Sequence, residues 1–293
     1  MKHLLGILLF LLWSPWALAA APYITGERVA GGNVAQVLAA VEKKTAAAGF
    51  ATLGKYQVQG LPQFAVLVVS DKGMLDAIHR LGGSNIVGAG IRIGVQANGT
   101  VSYMNPDYWY RAFFRTHFVR EQGAVQALQA RLEQALGVGM GFGGDERAAD
   151  LPKYRYMSGM ERFDSDKNEL NTLADFNAAV TTVRDNLASG VGKTSAVYEV
   201  VMPDKKIAVF GVAMHDDKVG DGRWVYKIGG TDYLAGLPYE IYVVGNKVYA
   251  LYGRYRIALG WPNLSMGHFT RISDVPDAIR ATMLRLAGAT AEH

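Results

Sequence analysis

Charged residues within apolar strand patterns are the side chains of this sequence best placed to do chemistry. Glu240 lies in the run YEIYVV, and Arg254 and Arg256 follow in the run GRYRIA. A forked guanidinium group binds a carboxylate or a phosphate through two parallel hydrogen bonds. If the second run is a strand, both arginines project to the same side of the sheet, because side chains alternate along a strand. The pattern therefore indicates a pair of arginines that could bind an anion.

A second candidate carboxylate, Glu199, lies between Val197 and Val201 in another strand pattern. A partly buried carboxylate needs a cationic partner, or its pKa rises. Two interpretations stay open for these groups: a structural network of ion pairs between strands, which we favour, and the polar lining of a ligand pocket. The ligand-binding candidates are Glu199, Tyr239, Glu240, Tyr252, Arg254 and Arg256. Tyrosines beside such a pocket would favour a small apolar or anionic ligand.

Several familiar catalytic and cofactor-binding patterns are missing from the sequence. It contains no cysteine, which excludes disulfides, thiolate metal ligands and cysteine nucleophiles. The end of a phosphate-binding loop is imitated at 192–194, but Leu187 occupies a position where that loop requires glycine. Ser70, Ser195 and Ser265 lack the Gly-x-Ser-x-Gly turn of a hydrolase nucleophile. We therefore assign no catalytic residue, metal site or cofactor.

The elements that must position the candidates alternate between helix and strand. Strand patterns lie at 23–31, 50–58, 63–70, 90–97, 100–105, 154–163, 195–202 and 206–214, and in a hairpin over 237–257. Helix patterns lie at 34–48, after the capping residue Asp71, and at 121–136, 173–188 and 275–288.

The hairpin has a two-residue loop at Gly245-Asn246, which pairs Val244 with Lys247 and Val243 with Val248. Neither face of the hairpin is cleanly polar. We therefore expect helices to cover one face and the other half of the chain to cover the second.

The second half of the chain repeats features of the first half in one register. Gly82-Gly83 and Gly229-Gly230 are 147 residues apart (229 − 82), and Asn98-Gly99 and Gly245-Asn246 show the same offset (245 − 98). A glycine-rich segment separates the two copies. We predict an α+β protein of two tandem β-α-β-β-α-β-β-α units with curved antiparallel sheets packed against helices. Its predicted parts are a first domain at 20–140, a linker at 141–153 and a second domain at 154–293.

The apolar and turn pattern VGAGIRIGV followed by NGTVSYMNP, at 87–106, resembles the domain-of-unknown-function 302 family. The resemblance covers about residues 30–137 and, more weakly, 170–288. It implies a fold like that of the TATA-binding protein, with a curved antiparallel sheet and helices against it. Because the family has no agreed reaction, the resemblance implies no functional residue.

The N-terminus has the pattern of a cleavable export signal at 1–19. Lys2 is followed by an apolar run from Leu4 to Trp13, which is too short to span a membrane, and by the cleavage pattern Ala17-Leu18-Ala19. We expect a periplasmic protein with no membrane span after the signal is removed. The oligomeric state stays open.

The charge of the chain is mild, and basic residues are not clustered. The formal net charge is +4, and no run contains five basic residues. Nucleic acid is therefore not an expected partner. The leading interpretation is a non-catalytic small-ligand-binding or envelope accessory protein with a pocket beside the second hairpin. Two alternatives are an enzyme using Glu199 or Glu240 as acid or base with an arginine clamp, and a structural protein that binds a partner through aromatic residues at 103–114.

Overall fold

The structure, a computed structural model, describes residues 19–289. Of the export signal predicted at 1–19, only Ala19 lies within this range. Helices and antiparallel strands follow one another along the chain and form two main sheets with helices packed against them, which confirms the predicted α+β class. No helix within the described range is long and apolar enough to cross a bilayer.

The first half of the chain builds a six-stranded antiparallel sheet. Its strands, in spatial order, are β3 (Ala51–Gln57), β4 (Phe64–Ser70), β5 (Ile91–Gln96), β6 (Val101–Met104), β2 (Tyr23–Thr25) and β7 (Gly141–Phe142). A separate short pair joins β1 (Ala19–Ala20) to β8 (Glu146–Arg147). The strands β4 to β6 are almost wholly buried, as their near-continuous apolar sequences require.

Polar caps set where the helices of the first half begin. These helices are α1 (Val34–Ala47), α2 (Lys72–Leu81), α3 (Pro106–Phe114) and α4 (Phe118–Leu136). The side chains of Asn33, Asp71 and Asn105 accept hydrogen bonds from backbone N–H groups in the first turns of α1, α2 and α3. The predicted capping role of Asp71 is therefore confirmed.

The second half builds a five-stranded antiparallel sheet. In spatial order its strands are β10 (Thr194–Met202), β11 (Ile207–Met214), β12 (Tyr239–Val244), β13 (Lys247–Tyr249) and β9 (Glu169–Thr172). The accompanying helices are α5 (Phe176–Ala188), α6 (Asp221–Lys227), α7 (Gly253–Gly260), α8 (Met266–Thr270) and α9 (Val275–Leu286). The pairing of Val244 with Lys247 and of Val243 with Val248 is as predicted.

The two halves share one order of elements and pack directly on each other. Each sheet places its second and third strands along the chain at one edge and its first strand beyond the terminal hairpin. The short 3₁₀ helix at 83–88 packs on β11 and β12, and its counterpart at 231–236 packs on β4, β5 and β6. The edge strands β3 and β10 also touch, so closely that a Cβ atom at Gly54 would clash with the carbonyl oxygen of Val197. The second hairpin is therefore covered by the first half, as expected, while α5 packs against the same sheet.

Two predicted elements of the second half are wrong. Residues 154–163 form turns, and the strand lies instead at Glu169–Thr172. The predicted hairpin also ends early. Asn168 accepts a hydrogen bond from the backbone N–H of Ala250 with its carbonyl oxygen and another from Tyr252 N–H with its side chain, and α7 begins at Gly253. The sequence GRYRIA is thus helical, and the predicted strand alternation of Arg254 and Arg256 does not apply.

The aromatic residues near the first hairpin lie inside the molecule. Tyr103 lies on β6, and the other aromatic rings of segment 103–114 lie on α3. The fully buried members are Tyr103, Tyr108, Trp109, Tyr110, Phe113 and Phe114. The segment 103–114 therefore exposes no aromatic surface to which a partner could bind.

Candidate functional site

Three of the sheet and helix charges meet in a buried ion cluster, formed by Arg92, Glu240 and Arg256. Arg92 lies on β5, Glu240 on β12 and Arg256 on α7, and all three side chains are at most 2% exposed. Arg256 donates from Nε to Glu240 Oε2 at 2.9 Å and from Nη2 to the Gly236 carbonyl oxygen at 2.7 Å. Arg92 donates to Glu240 Oε1. One carboxylate therefore joins cations from both halves of the molecule.

Both guanidinium groups of the cluster also lie over the ring of Trp109. Their Cζ atoms are 4.4 Å (Arg92) and 4.9 Å (Arg256) from the ring centroid. Such contacts stabilise a desolvated cation by about 2 kcal/mol. Burial lowers the pKa of Arg92. Burial acts in the same direction on Arg256, but the charge and hydrogen bonds of Glu240 outweigh it and leave the pKa of Arg256 raised. The cluster holds two cations on one anion, and Trp109 partly offsets the excess positive charge.

The members of this cluster occupy equivalent places in the two halves. Arg92 is the second residue of β5 and Glu240 the second residue of β12. Trp109 is the fourth residue of α3 and Arg256 the fourth residue of α7. The cluster therefore lies where corresponding elements of the two halves face each other, and its closed geometry locks the halves together.

The other predicted site residues are distributed over separate contacts. Tyr239 is buried on β12, and its hydroxyl donates to the Leu251 carbonyl oxygen. The Tyr252 hydroxyl donates to Asp277 at 2.7 Å, and Arg254 on α7 pairs with Glu161 at 3.0 Å. Glu199 accepts a hydrogen bond from Arg184 Nε at 3.1 Å on the outer surface of β10. Each of these groups already has a partner within the chain.

The structure thus brings Tyr239, Glu240 and Arg256 together and places Tyr252 with Arg254, but it leaves Glu199 apart from both groups. Glu240 and Arg256 are sealed from solvent, and Arg254 turns to Glu161 because residues two apart on a helix point in different directions. The predicted acid-base pairing of Glu199 or Glu240 with an arginine in an open cleft has no counterpart in this geometry.

A pocket does lie beside the second hairpin, and we name it the junction pocket. It has a volume of about 310 Å³, and residues from segment 83–88, from the turn after α3, from segment 163–169 and from the hairpin form its wall. That volume is at the small end of the range for ligand sites. Its wall includes Ser84, Arg115, Phe163, Asp166, Tyr242 and Tyr249. None of the six predicted site residues lines it.

Three side chains that line the junction pocket have polar atoms without a hydrogen-bond partner among residues 19–289. Arg115 directly follows α3, and its Nε atom is buried without a hydrogen-bond partner among residues 19–289. Its guanidinium group lies over the ring of Phe163, 4.6 Å from the centroid. Tyr242 and Tyr249 stack at 5.5 Å, and within the same range neither hydroxyl forms a hydrogen bond. The pocket therefore combines a cation, two hydroxyl groups and an aromatic wall that are free to bind a ligand.

The backbone holds Arg115 in an uncommon conformation. Its φ is +52°, in the left-handed region that non-glycine residues rarely adopt. This conformation ends α3 and starts the short turn that leads to α4. Strained residues of this kind occur disproportionately at ligand sites, because the surrounding structure must hold them there.

Burial and the charge of Arg115 shift the pKa values of the tyrosines around the pocket in opposite directions. Burial raises the pKa of Tyr242, while the charge of Arg115 lowers it in part. The pKa of Tyr255, behind the wall, is raised by burial and lowered in part by Arg115. Both tyrosines are therefore protonated near neutral pH and can donate a hydrogen bond.

A buried carboxyl at Asp221 also joins the two halves. Its Oδ2 atom accepts hydrogen bonds from the Tyr56 hydroxyl at 2.6 Å and from Met214 N–H at 2.9 Å. Because burial dominates over these neutral donors, the pKa of Asp221 rises to about 6. In the described part of the chain, no group of three or more His, Asp or Glu side chains is arranged to hold a metal ion.

Sequence reasoning missed Arg92, Arg115 and Asp221. A signal existed for Arg92, since a lone charge within the apolar run IRIGV must find a partner when that strand is buried. No comparable pattern marks Arg115 or Asp221, whose roles depend on contacts made by distant segments.

Comparison of the chain with protein-family models, with curated proteins and with solved structures finds no match.

Proposed function

We propose that this protein binds a small organic anion in the junction pocket and acts as a binding protein rather than as a catalyst. The observation that carries the proposal is the guanidinium group of Arg115. It lines an open pocket, and its Nε atom is buried and has no hydrogen-bond partner among residues 19–289. A planar guanidinium group suits the two oxygen atoms of a carboxylate. The stacked Tyr242 and Tyr249 rings and Phe163 offer an apolar surface to the rest of the ligand.

The surroundings of the pocket support this proposal. The hydroxyl groups of Ser84 and Tyr242 belong to the wall and can donate to a ligand oxygen. The side chains of the buried ion cluster are by contrast at most 2% exposed, so an anion from solution cannot reach its arginines. A pocket between the two halves is also a common position for ligand sites.

Three further parts of the proposal concern origin and location. We propose that the two halves arose by tandem duplication, since the strand orders and the 147-residue offset agree. The likeness to the domain-of-unknown-function 302 family and its curved-sheet fold is kept as part of this proposal. Export to the periplasm rests on the N-terminal sequence pattern.

The test is a thermal-shift screen of the full mature chain with small carboxylates, including benzoate, 3-phenylpropionate and succinate. A ligand present at a hundred times its dissociation constant stabilises a protein by about 2.7 kcal/mol, which for this size raises Tm by about 5 °C. We expect Arg115→Met to abolish the rise.

The matched control is Arg111→Met. Arg111 is also half-buried over a phenylalanine ring, 4.2 Å from the centroid of Phe118, but it pairs with Asp107 and does not line the junction pocket. This variant should keep the ligand-induced rise. The proposal fails if no carboxylate raises Tm, or if the Arg115 variant responds as the natural protein does.

A further inference from the structure

The charges in the junction pocket have two signs that do not neutralise each other. Arg115 supplies the cation, and Asp164, Asp166 and Glu169 supply carboxylates to the same wall. Within residues 19–289 none of these carboxylates forms an ion pair with Arg115. Opposite charges that line one small pocket without meeting leave a gap that a molecule of matching charge distribution can bridge.

Internal partners distinguish the three carboxylates. Glu169 pairs with Lys247 at 2.9 Å, and Asp164 pairs with Arg162 at 3.2 Å. Asp166 forms no ion pair with any residue in the described part of the chain, and its side chain is exposed at the pocket rim. Asp166 is therefore the carboxylate best able to receive a cation from a ligand, as Arg115 is the cation best able to receive an anion.

Tyr242 supplies a hydroxyl group that points to a ligand independently of the acidic rim. The residue is only 2% exposed, yet it lines the pocket, and its hydroxyl has no hydrogen-bond partner among residues 19–289. The buried tyrosines elsewhere mostly donate to a carbonyl oxygen, as Tyr108 does to Leu259 at 2.9 Å and Tyr110 does to Gly88 at 2.8 Å. The Tyr242 hydroxyl is not one of the sealed atoms that lack a partner, so it reaches the open pocket and can donate to a ligand there.

We propose that the ligand of the junction pocket is a zwitterion of the α-amino acid type with an apolar or aromatic side chain. Its carboxylate lies on Arg115, its ammonium group on Asp166, and its side chain against the Tyr242–Tyr249 wall. This inference rests on the proposed binding function and names its ligand class. A volume of about 310 Å³ suits a single amino acid better than a large cofactor.

The probes are three molecules that share one apolar group and differ only in charge. L-phenylalanine carries both charges, 3-phenylpropionate lacks the ammonium group, and 2-phenylethylamine lacks the carboxylate. Leucine, 4-methylpentanoate and 3-methylbutylamine form a second series without a ring. Titration calorimetry on the full mature chain measures each dissociation constant. We expect at least one amino acid to bind ten or more times tighter than both of its single-charge counterparts.

Two variants separate the two ends of the ligand. Asp166→Asn should weaken amino-acid binding about tenfold, to the level of the carboxylate alone, and leave the affinity for the carboxylate probe unchanged or improved. Arg115→Met should abolish binding of the amino acid and of the carboxylate. Because Asp166 is exposed and has no internal partner within 19–289, its variant should fold normally, which circular dichroism and the Tm without ligand verify.

Failure of this inference differs from failure of the binding function. If a carboxylate binds as tightly as its amino acid, or Asp166→Asn leaves amino-acid affinity unchanged, the zwitterion is wrong while anion binding at Arg115 stands. If neither series binds and the carboxylate screen is also negative, both proposals are overturned.

Discussion

The buried ion cluster and the junction pocket both place arginine beside aromatic rings at the contact between the two halves, but they differ in their access to solvent. In the cluster, Glu240 receives hydrogen bonds from two arginines, and all three side chains are sealed from solvent. Arg92 Nε and Nη2 are buried there without a hydrogen-bond partner within 19–289. In the pocket, Arg115 lies on a ring with its Nε atom unpartnered in the same range, and the pocket is open. A ligand from solution can therefore reach the charges of the pocket but not those of the cluster.

This difference explains why residue type alone is a poor guide to a site. Glu240 and Arg256 have the chemistry of an active site, yet their mutual hydrogen bonds use that chemistry for assembly. A buried pair of this kind costs desolvation when it forms, but removal of one partner leaves an uncompensated charge. Arg115 forms no ion pair among residues 19–289, so its charge is available to a ligand.

The largest expected effect is that of Glu240→Ala on stability. The variant leaves Arg92 and Arg256 buried without their carboxylate, which should lower the free energy of unfolding by about 3–5 kcal/mol. Urea denaturation measures the change. The control is Glu199→Ala, which removes a partly exposed partner of Arg184 and should cost about 0–1 kcal/mol. Equal losses in the two variants would contradict the structural role of the cluster.

A smaller effect concerns Asp221, which differs from Glu240 because neutral donors replace the cations. Its pKa rises from 3.8 to about 6 in the folded state because of burial. A raised folded-state pKa gives stability below pH 3.8, which is lost as the pH rises through about 6. The lost contribution is about 3 kcal/mol.

The corresponding variant is Asp221→Asn, which cannot ionise. We expect its free energy of unfolding, relative to that of the natural protein, to increase by about 2.4 kcal/mol between pH 4 and pH 7, because part of the loss has already occurred at pH 4. Denaturant titrations at the two pH values measure the difference. A difference that is the same at both values would show that Asp221 does not titrate in this range.

Two tyrosines on β12 show what a single hydrogen bond contributes to stability. The Tyr239 hydroxyl donates to Leu251, so Tyr239→Phe should cost about 1 kcal/mol of stability. Tyr242→Phe removes a hydroxyl without an internal partner in the described chain and should leave stability unchanged while weakening ligand binding several-fold. Equal stability losses would mean that the Tyr242 hydroxyl has an internal role.

The smallest expected stability effect is that of Arg115→Met. Arg115 has no ion pair among residues 19–289, and methionine can keep the apolar contact with Phe163. We therefore expect the free energy of unfolding to change by less than about 0.5 kcal/mol. Thermal denaturation without ligand checks this value. A loss comparable to that of Glu240→Ala would place Arg115 with the structural residues.

Local patterns in the sequence determined most of the element order of this protein. Alternating apolar residues and the Gly245-Asn246 turn fixed the register of the second hairpin, and the capping side chain of Asp71 fixed the start of α2. These features depend on neighbours in the chain. They could therefore be predicted without knowledge of how the two halves pack.

Only the tertiary structure decided which polar groups are sealed inside the molecule and which remain accessible to a ligand. Glu240 forms its ion pair with Arg92, which lies 148 residues away in the chain (240 − 92). The short strand β13 ends because Asn168 accepts hydrogen bonds from the backbone that follows it. Arg115 becomes a candidate for binding because it lines the junction pocket and forms no ion pair with a carboxylate among residues 19–289. Such pairings depend on distances between segments far apart in the chain, and residue type and spacing do not contain those distances.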